Sequence, residues 1–135
     1  MHEYSIAVIV FAILKVVIKK NKTPFYDEDT REFLGFIIDD GTSWQVQTIF
    51  GYLITRASSR KEAERALYQV GSTYLKGIWQ YYDKDEKDWF HCVIKKAYEH
   101  QVIVNRTNAL GFQDEELQKQ VIIDDPTESD LVKSS

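Results

Sequence analysis

Asp88 and His91 stand three positions apart, a spacing at which a carboxylate can orient an imidazole base or share a metal with it. On a helix that spacing would put both on one face. Two ligands do not complete a metal site, and a solvated surface pair is the preferred reading. Asp39 and Asp40 precede Gly41, where paired carboxylates either bind a cation or form a hairpin turn. Cys92 is the single cysteine, flanked by His91. Adjacent helical residues point different ways, so the pair reads as a core thiol beside an unrelated imidazole. His100 follows Glu99 and reads as a helix end. The sequence contains no Gly-rich phosphate loop, no Gly-x-Ser-x-Gly and no His-Glu-x-x-His. No catalytic residue, cofactor or metal is assigned on these grounds.

The aromatic run Tyr74–Phe90 carries a different signal. Tyr74, Trp79, Tyr81, Tyr82, Trp89 and Phe90 exceed what two helix stripes need for a core, and exposed Trp and Tyr are common anchors of protein interfaces. Tyr74, Trp79, Tyr82 and Trp89 are the expected partner-binding set, weighed against a broad aromatic core.

Those residues need elements to hold them. Ser59 followed by Glu62 forms a capping box, and Ala63, Leu67, Val70, Tyr74, Ile78 and Tyr81 then recur every three or four positions. This predicts a helix running from Ser59 to about Tyr81, weakened at Gly71 and Gly77 unless another backbone comes close there. Asp83 with Glu86 predicts the start of a second helix, with Trp89, Val93 and Ala97 as its stripe to about His100. A short link makes the two helices antiparallel. Before them, Phe33–Ile38 and Trp44–Ile54 flank the Asp39-Asp40-Gly41 turn as a β-hairpin. After them, Gln101–Thr107 reads as a short strand, Glu115–Val121 as a short helix and DDPTESDLVKSS as a flexible acidic tail.

The opening stretch Ser5–Ile18 is apolar apart from Lys15 and is followed by Lys19, Lys20 and Lys22. It is somewhat shorter than the roughly 20 residues of a full membrane span, and Lys15 can snorkel. The basic flank would put the main domain on the cytosolic side. A buried central strand is the main alternative, favoured by the many β-branched residues, and a core helix is a third reading. A cleaved signal peptide does not fit, since the positive charge lies on the wrong side. The heptapeptide MHEYSIA resembles the start of the HypA family of nickel-delivery proteins, which would make His2 a nickel ligand. That family's two Cys-x-x-Cys pairs have no counterpart beside the lone Cys92, and no metal is carried over.

Composition bounds the rest. The 135 residues suffice for one domain, with 44% hydrophobic, 13% aromatic and 28% charged side chains. A formal net charge of -4 disfavours nucleic acid, which needs a basic surface. One cysteine allows no disulfide within the chain and suits a reducing compartment. Asn21-Lys22-Thr23 and Asn105-Arg106-Thr107 match the glycosylation tripeptide, and Thr127 and Ser129 sit among acids where phosphorylation is conceivable.

The expected architecture is therefore α+β: a β-hairpin plus two antiparallel helices and a short C-terminal strand, preceded by an N-terminal apolar segment. The divisions are 1–22 (apolar segment with basic flank), 23–112 (small α+β domain) and 113–135 (acidic tail). The expected function is that of a non-enzymatic interaction or accessory protein, membrane-associated through Ser5–Ile18, binding a protein partner through the helix pair. The alternative is a cytoplasmic, soluble domain that binds a ligand or belongs to an unassigned enzyme class.

Overall fold

The computed structural model describes residues 21–113 and 119–134. The Ser5–Ile18 segment, His2 and most of the expected Glu115–Val121 helix lie outside them. The described chain is mostly strand. A four-stranded antiparallel meander comprises β1 (Lys22–Tyr26), β2 (Phe33–Asp39), β3 (Trp44–Gln47) and β4 (Leu53–Ala57) in that spatial order. The single α-helix of the described residues, α1 (Arg60–Val70), follows. A five-stranded antiparallel sheet is then built from β5 (Trp79–Asp83), β6 (Asp88–Ala97), β7 (Gln101–Arg106), β8 (Gln120–Asp124) and β9 (Leu131–Lys133), in the order β8-β7-β6-β5-β9.

This corrects the expected α+β fold with two antiparallel helices. Only the first helix exists, and it stops at Val70. Ser59 caps it as expected, with its hydroxyl accepting from Glu62 N–H at 3.1 Å. The Glu62 carboxylate returns to Ser58, whose N–H it accepts at 3.1 Å. The end is fixed by packing. A Cβ at Gly71 would lie 3.1 Å from the Leu34 carbonyl oxygen, so glycine lets the helix end meet β2. Gly77 then takes φ +92, a left-handed conformation open to glycine, and turns the chain into β5.

The second expected helix is the β5–β6 hairpin. Trp79, Tyr81 and Asp83 are buried while Gln80 and Tyr82 are only partly so, the alternation of a strand. The expected transmembrane helix, Ser5–Ile18, lies outside the described residues; among the described residues no helix is long and apolar enough to cross a membrane. The Phe33–Ile38 hairpin does form, with Asp39 opposite Trp44 across its turn. Gln101–Arg106 is a strand too, but it pairs with β6 and β8 rather than with that hairpin. Residues expected to form a tail provide both edges of the five-stranded sheet.

Two cores result. Leu34, Ile37, Val46 and Ala57 from the meander close against Ala63 and Leu67 of α1. Trp79, Tyr81, Cys92, Val102, Val104 and Leu131 fill the inner face of the five-stranded sheet, joined by Phe50 from the β3–β4 turn. The same turn fastens the halves: Phe50 packs edge-on to Trp79 at 5.9 Å, and the Tyr52 hydroxyl donates to the Leu131 carbonyl at 2.6 Å.

Candidate functional site: an open seam in the five-stranded sheet

Strand alternation sorts the side chains of the five-stranded sheet onto two faces. Tyr81 and Asp83 of β5, Phe90 and Cys92 of β6, Val104 and Arg106 of β7, and Val121 and Ile123 of β8 belong to the inner face. The sheet curls enough for groups from non-neighbouring strands to touch. Asp83, 6% exposed, is the junction. Its Oδ1 accepts from the N–H groups of Asp85 and Glu86 at 2.9 and 3.1 Å, shaping the β5–β6 turn. Its Oδ2 accepts from Arg106 of β7 at 2.8 Å and from Lys119, just before β8, at 2.6 Å. The bond from Lys119, followed by those from the Glu86 and Asp85 N–H groups, holds the Asp83 carboxyl down at about 2.

Arg106 is fixed from several sides. Its Nε donates to the Tyr81 hydroxyl at 2.7 Å, and its guanidinium pairs with Glu86 at 3.0 Å. The Phe90 ring lies beneath it, 3.6 Å from the guanidinium carbon to the ring centroid. A buried cation with planar partners on every side keeps its place.

The curl leaves a gap between β8 and β5, and a cleft of about 440 Å³ occupies it. One wall is Lys119 and Val121–Asp124; the other is Tyr81–Asp85, with Asp130 beside it. Four consecutive β8 residues line the cleft. Side chains alone would alternate in and out, so the strand presents its edge. The hydrogen bonds agree. Arg106 N–H donates to the Lys119 carbonyl, and Asp125 N–H donates to the His100 carbonyl. In an antiparallel pair this parity turns the main chain of Lys119, Val121 and Ile123 toward β7. The N–H and C=O groups of Gln120, Ile122 and Asp124 therefore point the other way. Among the described residues β8 has no second neighbouring strand.

The partner-binding set expected from sequence is divided by this sheet. Trp79 is fully buried, its indole N–H donating to the Leu75 carbonyl at 3.1 Å. Tyr74 packs edge-on against it at 6.2 Å. Tyr82 and Trp89 face each other across β5 and β6 on the outer face, with ring centroids 5.6 Å apart and Trp89 39% exposed. The four do not form one surface. Larger exposed apolar side chains occur at Leu110 and Phe112, in the turn after β7, where the Asn108 side chain accepts both of their N–H groups.

The other candidates are placed as follows. Asp88 and His91 share β6 with opposite parity, so their side chains leave opposite faces. The Cys92 thiol is fully buried, and burial pushes its pKa up to about 12, which suppresses the thiolate. Asp39 and Asp40 form the β2–β3 turn; Asp40 accepts from Ser43 and Thr42 N–H and pairs with Arg56 at 2.8 Å. Among the described residues no group of three or more His, Cys, Asp or Glu is placed to hold a metal ion. Sequence reasoning missed Arg106, Lys119 and the β8 edge. The available signal was the run of β-branched residues Val121–Ile123 between Gln120 and Asp124, which favours a strand.

Comparison of the chain with known protein families, with curated proteins and with solved structures finds no match.

Proposed function

We propose that this chain is a non-enzymatic interaction protein that binds an extended segment of a partner protein along the outer edge of β8, over the cleft. The carrying observation is the main chain of Gln120, Ile122 and Asp124, unpaired among the described residues and facing a cleft lined by Tyr81, Val121 and Ile123. A sheet edge is a template for one more strand unless something blunts it. β8 carries no Pro, no Lys and no bulge, and its Ile122 is 58% exposed. Strand addition of this kind draws affinity from main-chain bonds and selectivity from pockets beside the strand. The buried, protonated thiol at Cys92 and the fully engaged Asp83 favour binding over nucleophilic chemistry at this sheet.

The test is selection of displayed random peptides on the full chain, followed by amide exchange. Retained peptides should slow exchange at Gln120, Ile122 and Asp124. Ile122→Pro removes one outward N–H and should abolish retention while the melting curve stays two-state. Peptides that bind the proline variant equally well, or no retained peptide at all, would overturn the reading.

A further inference from the structure

We infer that the segment taken up along β8 carries a lysine or arginine side chain, which enters the cleft and takes the place of Lys119 beside Asp83. The inference rests on the proposed reading of β8 as an acceptor edge and specifies the chemistry of what it accepts.

The charges around the cleft are unequal. Asp83, Asp85, Asp124 and Asp130 border it against Lys84 and Lys119. Asp124 accepts from the Gln101 side chain and Asp130 from Thr127, and among the described residues neither carboxylate is paired with a cation. An acidic segment would meet like charge along this rim, whereas a basic one meets its complement.

The two cations on Asp83 are held differently. The Arg106 side chain is 12% exposed and is tied to Tyr81, Glu86 and Phe90 as well. The Lys119 side chain is 38% exposed and reaches Asp83 Oδ2 from the cleft wall. Lys119 thus fills from within the position that an arriving ammonium or guanidinium would take. Exchanging one cation for another leaves the Asp83 charge compensated, so the Arg106 network need not move. The apolar walls at Tyr81, Val121 and Ile123 suit the aliphatic stem of such a side chain.

Peptide selection on the full chain tests this with three readouts. Selected sequences should share Lys or Arg at one fixed position, and their affinity should fall as salt rises. Lys119→Met should tighten a Lys-bearing peptide several-fold by vacating Asp83, and Asp124→Asn should weaken it. Asp124 is exposed and peripheral, so its variant keeps the test open if Lys119→Met does not fold. Peptides that lack a basic residue yet depend on Ile122 would overturn this inference and leave the acceptor edge standing. Weaker binding by a folded Lys119→Met would also overturn it. Failure to select any peptide sensitive to Ile122→Pro would overturn both.

Discussion

The meander with its helix and the curled sheet solve one problem in two ways. In the first half, α1 lies across one face of the four-stranded sheet through Ala63 and Leu67. In the second, the described residues supply no α-helix; the sheet curls, and Phe50, Tyr52, Tyr74 and Leu75 complete the cover of its inner face. Covering by a separate layer leaves strand edges at the periphery. Covering by curvature brings the edge of β8 toward β5 and leaves a seam between them. The binding surface we propose is thus a by-product of how the second core is closed.

The contrast can be broken at the cores. Trp79→Ala removes the largest fully buried side chain and should cost about 3–5 kcal/mol; Leu67→Ala in the first half should cost about 2–5 kcal/mol. Because Phe50 and Tyr52 bind the halves, both substitutions should shift one shared denaturant transition. Circular dichroism would report the whole fold, and the amide NMR signals of Val46 and Val104 would report the two halves separately. Two separated transitions would show the halves to be independent.

A change at Asp83 sharpens the contrast through pH. The folded state lowers this carboxyl from 3.8 to about 2. Its stabilisation is therefore fully present above about pH 4 and is lost as pH falls through about 2. Asp83→Asn should lower stability at neutral pH and flatten that part of the acid profile. Asp40, held lower still by Ser43 and Thr42 N–H, should keep its own contribution in the first half. An unchanged acid profile in Asp83→Asn would rule out Asp83 as the junction. The smallest expected effect is local. Ser59→Ala should cost about 1 kcal/mol through the lost helix cap. Calorimetry should show it without any change at Tyr82 and Trp89.

The features legible in the sequence were those decided within a few residues. Ser59 and Glu62 mark a real helix start, and Asp39-Asp40-Gly41 marks a real turn, because each is settled by local hydrogen bonds. The same locality misled at Asp83. A carboxylate accepting N–H groups two and three residues ahead begins a helix or a hairpin equally well, and here it begins a hairpin. Tyr74, Ile78 and Tyr81 fit a helical stripe, while Trp79, Tyr81 and Asp83 fit a strand; long-range pairing with β6 and β9 decided between them. The site was legible least of all. Asp83, Arg106 and Lys119 come from distant parts of the chain, and no spacing announces their meeting. Tyr82 and Trp89, two of the four residues expected to bind a partner, meet on an outer sheet face rather than on a helix pair.

The bond from Tyr52 to Leu131 spans 79 positions. During synthesis the meander and α1 can leave the ribosome and settle from contacts among near neighbours. Trp79 must wait for Leu131–Lys133 of β9 before its surroundings are complete. Until then a growing chain carries an unfinished, apolar second half, the interval in which a chaperone has the most to hold.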